Sequence, residues 1–136
     1  MTTDELMFKL QTCHRKWKRD AEEGIHKGLN YLLIREIGND LVRWTDNNKK
    51  SVVLAKRVFA IIEEALENPS QEVLDLIGAG FVEDTQSCLY HRRSDDPNFD
   101  PDFFSAYLPP KLLKLWEELI KGWIGVQTIK EWRELG

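Results

Sequence analysis

Nothing in this sequence approaches the roughly 18 to 20 consecutive apolar residues of a membrane-spanning helix. The N-terminal MTTDELMFKL has no basic segment leading into an apolar one, so no signal peptide is expected. Cysteine is scarce. Cys13 and Cys88 are the only two in 136 residues, too few for a disulfide framework, and the expectation is a cytoplasmic protein with reduced thiols. Eight glycines and five prolines are too few for a turn-rich β-sandwich, and alternating strand patterns are hard to find. The motifs of common chemistries are missing as well. There is no CxxC or HxxxH for zinc, no glycine-rich phosphate loop and no GxSxG elbow. No catalytic residue, metal or cofactor is therefore expected, and the protein reads as a non-enzyme. The one candidate for covalent chemistry is Cys88 with His91, three residues on. A structural cysteine on an apolar stripe is the commoner outcome.

What is present suits one helical domain spanning residues 1–136. Apolar residues make up 42% and charged residues 31%, enough for a core and against disorder. The net charge of −4 is unevenly placed. Residues 51–110 carry eleven acidic and four basic side chains, against eight and ten in residues 1–50. A nucleic-acid binder needs the opposite sign on a concentrated surface. A negative field suits a basic protein partner and speeds its encounter.

The central stretch runs from Ser51 to Ser87. Ala55, Val58, Phe59, Ile62, Ala65 and Leu66 recur at three- and four-residue steps, as do Val73, Leu76, Ile77, Gly80, Phe81 and Cys88. Each set forms one face of a helix. Asn68-Pro69 stops the first helix and starts the second. The expected architecture is an all-α bundle of about six or seven helices built around an antiparallel hairpin at residues 51–90. Gly78 and Gly80 point to close approach of another helix, with a hinge as the alternative. Glu63 falls at the edge of its stripe and is expected to be partly buried.

Before the hairpin, Thr2 and Glu5 have capping-box spacing, and a first helix is expected from Thr2 to Asp20. Its basic end, His14 to Arg19, reads as a solvated helix C-terminus, the alternative being a phosphate-binding patch. Breaks are expected at Asp20–Gly24 and Gly28. A helix then runs from Leu29 to Trp44, striped by Leu29, Leu32, Leu33, Ile37, Leu41 and Trp44, with a kink or split at Gly38-Asn39. Thr45 to Asn48 is turn chemistry, and Ser51, Asn47 or Asn48 can cap the next helix. After the hairpin, Leu89 to Asp102 reads as irregular. Its aspartates lack the central glycine and terminal glutamate of a calcium loop. The readings left are a solvated loop or a partner-facing acidic loop anchored by Phe99. Phe103, Phe104 and Tyr107 suggest a short helix. Pro109-Pro110 launches another with Leu112, Leu113, Leu115, Trp116, Leu119, Ile120 and Trp123, Gly125 breaks it, and a last helix is expected from Val126 to Leu135.

Ile62-Glu63-Glu64, Glu72-Val73, Leu76-Ile77, Gly80-Phe81-Val82-Glu83 and Leu108-Pro109 through Trp116 come in an order that resembles a group of small all-helical bacterial proteins. Some of that group are immunity proteins of polymorphic toxin and contact-dependent growth inhibition systems. The resemblance covers mainly residues 51–120, and its motifs are mostly fold-making. It implies a protein that binds and neutralises one cognate toxin domain, the type of target being a nuclease with a basic cleft, and that contacts neither nucleic acid nor membrane directly. Joined to the acidic excess, it puts the expected contacts at Glu72, Asp75, Glu83, Asp84, Asp95, Asp96, Asp100 and Asp102, with Phe99 as a desolvated anchor. The alternative is a helical scaffold or adaptor that binds another protein through the hairpin or a homodimer face.

Overall fold

The structure, a computed structural model, describes residues 1–26, 28–45, 49–120 and 133. It is all-helical, with no strand among the described residues. Helix α1 (Thr3–Gln11) begins as its sequence dictates, with Thr2 Oγ1 accepting the Glu5 N–H at 3.1 Å. It does not continue to Asp20. The Thr12 hydroxyl turns back onto the Lys9 carbonyl at 2.7 Å. His14 opens a new helix, α2 (Arg15–Glu22), its Nδ1 accepting the Lys16 N–H at 3.1 Å. The basic run His14–Arg19 therefore starts a helix rather than ending one, and Lys16 turns inward to carboxylates.

The turn after α2 contains the expected breaks. Gly24 and Gly28 both adopt the left-handed conformation (φ 68° and 73°), which costs a glycine little. Helix α3 (Asn30–Arg43) then runs through Gly38-Asn39 without a split. Its core face is Leu33, Ile34, Ile37, Leu41 and Val42, while Leu29 and Leu32 point to solvent. Ser51 lies inside α4 (Lys49–Ala65) and does not cap it, and the alternatives Asn47 and Asn48 fall outside the described residues.

The break at 66–70 is as expected, but Pro69 precedes the cap instead of entering the helix. Ser70 is the N-cap, its Oγ accepting the Val73 N–H at 3.2 Å. From there α5 (Gln71–Asp75), a π-helical stretch (Leu76–Glu83) and α6 (Asp84–Asp95) follow without interruption. Residues 89–95, expected to be irregular, are helical, and only 96–102 form the loop. A 3-10 turn (Phe103–Tyr107) leads to α7 (Pro110–Ile120). The expected Trp123, the Gly125 break and the last helix at Val126–Leu135 lie outside the described residues, Arg133 apart.

The five stripe residues within α4 and Leu66 just past its end are buried, as are Val73, Leu76, Ile77 and Phe81 of the helical run 71–95. α1 and α7 pack on α4, and α3 and α7 pack on the run 71–95, so the two central arms are the surfaces the other helices cover. The arms lean on these neighbours more than on each other, meeting where the Phe59 ring stands edge-on to Phe81 (6.2 Å) and Phe104 (5.5 Å). α3 comes closest of all. A methyl group on Gly80 would lie 2.7 Å from Ile34 Cγ2, and one on Gly38 would lie 2.2 Å from Thr85 Oγ1. Gly80 thus answers to close packing. Gly80, in the π-helical stretch, and Thr85, at the start of α6, both face α3.

Candidate functional site

A cleft of about 750 Å³ lies between α3 and α6. α3 contributes Leu32, Arg35, Glu36, Asn39, Val42 and Arg43. α6 contributes Cys88, His91, Arg92 and Asp95, at spacings that keep them on one helix face. His26 enters from the glycine-flanked turn.

The wall groups are largely tied to the protein itself. Arg35 Nε pairs with Asp84 Oδ2 at 2.6 Å. Arg92 donates to the Val42 carbonyl and lies over the Phe99 ring at 4.3 Å. Cys88 donates its Sγ proton to Asn39 Oδ1 at 2.7 Å. His91 instead faces Ser87 Oγ, 3.5 Å from its Nδ1. Burial, and then the charge of Asp84, push the Cys88 thiol up from its ordinary value. A thiol so held carries little thiolate at neutral pH, the opposite of what a cysteine nucleophile needs.

Behind the cleft, α2 and α3 share a polar cluster that sequence reasoning missed. Asp40 is fully buried. Its Oδ2 accepts from Lys16 Nζ at 2.6 Å and from Trp17 Nε1 at 2.9 Å, and its Oδ1 pairs with Arg43. Lys16 also reaches Glu36 Oε1 at 3.0 Å, and Glu36 Oε2 meets His26 Nε2 at 2.8 Å. Asp20, also buried, lies against Glu36. Burial alone would raise Asp40 and Glu36. Hydrogen bonds from Lys16, Trp17 and Arg43 outweigh it for Asp40, and those from His26 and Lys16 for Glu36, so both carboxyls sit below the usual carboxylate range. Asp20 goes the other way, raised by burial and then by the neighbouring Glu36. A signal was present in the sequence: Lys16/Asp20 and Glu36/Asp40 are each four residues apart, so each pair shares a helix face, set within apolar stripes.

The acidic residues singled out from the sequence do not form one surface. Glu72 and Asp75 are exposed at the start of the run 71–95, and Asp75 accepts from Gln71 Nε2 at 2.8 Å. Asp95 lies twenty residues further on, about 30 Å away at roughly 1.5 Å per residue. Glu83 and Asp84, midway, are half-buried, with Asp84 committed to Arg35. Only Asp95, Asp96, Asp100 and Asp102 come together, all exposed. Asp96 Oδ1 accepts the Asn98 N–H at 3.0 Å and Asp100 Oδ1 the Asp102 N–H at 2.9 Å, so the loop is built from its own aspartates. Phe99, expected as a desolvated anchor for a partner, is instead buried within this chain against Arg92, with its carbonyl held by Arg93 at 2.7 Å.

The fold and cleft define a small all-helical bundle with a polar seam between its second and third helices. The chain belongs to the family described as Domain of unknown function (DUF7674), which matches residues 3–124. No curated protein and no solved structure matches it.

Proposed function

We propose that this protein acts by binding another protein, and that its partner is a basic toxin domain which it neutralises. The observation that carries this reading is the acidic end of α6. Four exposed carboxylates fall within residues 95–102, in a loop pinned by two aspartate turns and the buried Phe99. Such a patch attracts a basic, phosphate-binding cleft, and the two aspartate turns hold its carboxylates in place for that encounter. The resemblance of residues 51–120 to immunity proteins supplies the class of partner. The test is co-expression with the C-terminal domain encoded by the neighbouring upstream gene, scored by growth and by co-purification. Rescue with a stable complex is expected. Neither rescue nor complex would overturn the reading.

One observation favours a second reading, an adaptor for some other protein. Phe8 (65% exposed) and Leu29 border a hollow of about 220 Å³ beside the α2–α3 turn, and Ile25 of the same turn is also exposed. Apolar side chains gathered at one place mark protein contacts. Phe8→Asp with Leu29→Asp abolishes binding on this reading and spares it on the first.

A further inference from the structure

The polar seam holds three groups that the binding reading does not use. Asp20 comes from the end of α2, His26 from the turn held by Gly24 and Gly28, and Glu36 from α3. One ligand atom from each lies within 4.8 Å of the other two, and His26 Nε2 is already 2.8 Å from Glu36 Oε2. Donors around a four-coordinate metal at about 2.1 Å stand roughly 3.4 Å apart, between these two separations, so small rotamer changes bring all three onto one ion. We propose that Asp20, His26 and Glu36 form a binding site for a divalent transition metal of the zinc type.

Three features support the site beyond its spacing. The carboxyl groups of the buried Asp20 and the half-buried Glu36 face each other beside His26, and a cation held between them offsets their mutual repulsion more directly than Lys16 and Arg19, which stand to either side. Lys16 satisfies only the far oxygen of Glu36, Oε1, and is itself anchored by Asp40, which leaves Oε2 turned toward His26 and holds the carboxylate in place from behind. Metal-binding carboxylates are commonly oriented by such outer partners. His26 and Glu36 also line the large cleft, so the remaining coordination position opens toward it. The donor set selects the ion. One imidazole nitrogen with two carboxylate oxygens suits zinc, and manganese or ferrous iron after it. Calcium and magnesium prefer all-oxygen sites.

The test uses the purified full chain, stripped with a chelator and titrated with zinc chloride by calorimetry, with thermal unfolding followed in parallel. One zinc per chain and a raised Tm are expected, since an ion that binds the folded state stabilises it. His26→Gln and Glu36→Gln are each expected to weaken binding by at least about ten-fold, the loss seen when metal sites are perturbed even in their outer shell. Cys13→Ser, Cys88→Ser and His91→Gln should leave affinity unchanged. His26 sits in a turn, and the circular dichroism of its variant should match that of the parent. Cobalt(II) should give visible d–d bands without an intense thiolate charge-transfer band. Absence of stoichiometric zinc binding overturns the proposal. So does binding that survives His26→Gln, binding lost in the cysteine or His91 variants, or an equal response to magnesium and calcium.

Discussion

Single residues carry much of the stability of the seam. Asp40 is fully buried among Lys16, Trp17 and Arg43. Its folded-state pKa is lowered, so its contribution is complete above the unfolded carboxylate value of about 3.9 and is lost as pH falls through the lower folded value. Acid titration of the unfolding free energy should therefore decline below about pH 4, and the decline should be shallower in Asp40→Asn. That variant should also lose about 1–3 kcal/mol at neutral pH, because the buried amide replaces charge-assisted hydrogen bonds to Lys16 and Trp17, while Lys16 keeps Glu36 and the exposed Arg43 turns to water. An unchanged urea midpoint would show that the cluster is not structural. Glu63 does a different job. Its two oxygens accept the N–H groups of Lys111 (3.0 Å) and Leu112 (2.9 Å), capping α7 from α4 where Pro109 has no polar side chain to do so. Glu63→Ala should cost about 1–3 kcal/mol and Glu63→Gln less, read from the same urea transitions. Cys88, raised by burial and hydrogen-bonded to Asn39, should react with a disulfide reagent at pH 7 more slowly than free cysteine. Faster reaction would reopen a nucleophilic role.

At the scale of elements, the helices and their buried faces were legible, because a three-to-four periodicity is a direct record of which side is dry. The five stripe residues of α4 with Leu66 just beyond them, and Leu112, Leu115, Trp116 and Leu119 of α7, face the core as the spacing predicts. Boundaries were harder wherever a side chain outvoted the pattern. The break between α1 and α2 is made by the Thr12 hydroxyl and the His14 ring, residues that are poor punctuation in a sequence. Gly38 looked like a helix breaker and is instead a seat for Thr85. That seat makes a clean prediction. Gly38→Ala places a methyl 2.2 Å from Thr85 Oγ1, so the ordinary gain of about 1 kcal/mol from removing a helical glycine is overridden by overpacking of about 1–3 kcal/mol. The Thr85 hydroxyl is buried without a hydrogen-bond partner, and its Cβ would sit an ordinary 3.5 Å from the new methyl. Thr85→Ala alone should be close to neutral, and the Gly38→Ala, Thr85→Ala double variant should recover the stability lost in the first. Simple additivity of the two changes in chemical denaturation would mean that the hydroxyl is not the obstacle.

For the whole molecule, the acid excess of residues 51–110 was legible, but its arrangement was not. A composition count cannot separate carboxylates strung along a helix of twenty-odd residues from those gathered at its end. Nor does it show that Asp84 is committed to Arg35 or that Phe99 faces inward. The seam was hidden for a related reason: its six polar members come from two helices and a turn, and only the packing of α2 on α3 makes them neighbours. This arrangement decides how a binding surface must be probed. Reversing Glu83 and Asp84 breaks the Arg35 pair in a half-buried setting, so a lost complex there reports on folding as much as on contact. Asp96→Asn with Asp100→Asn removes turn acceptors only in part, since an amide oxygen still accepts, and these residues are exposed. Adding Asp102→Asn should leave the unfolding free energy within about 0.5 kcal/mol of the parent. If the acidic end of α6 steers a basic partner, the triple variant should associate more slowly by about ten-fold at low salt, and the difference should shrink as ionic strength rises toward physiological levels. Stopped-flow or surface-binding kinetics at several salt concentrations read this directly. Equal association rates at every ionic strength, with the fold intact, would remove the acidic end from the interface and leave the apolar turn around Phe8 and Leu29 as the surface to mutate next.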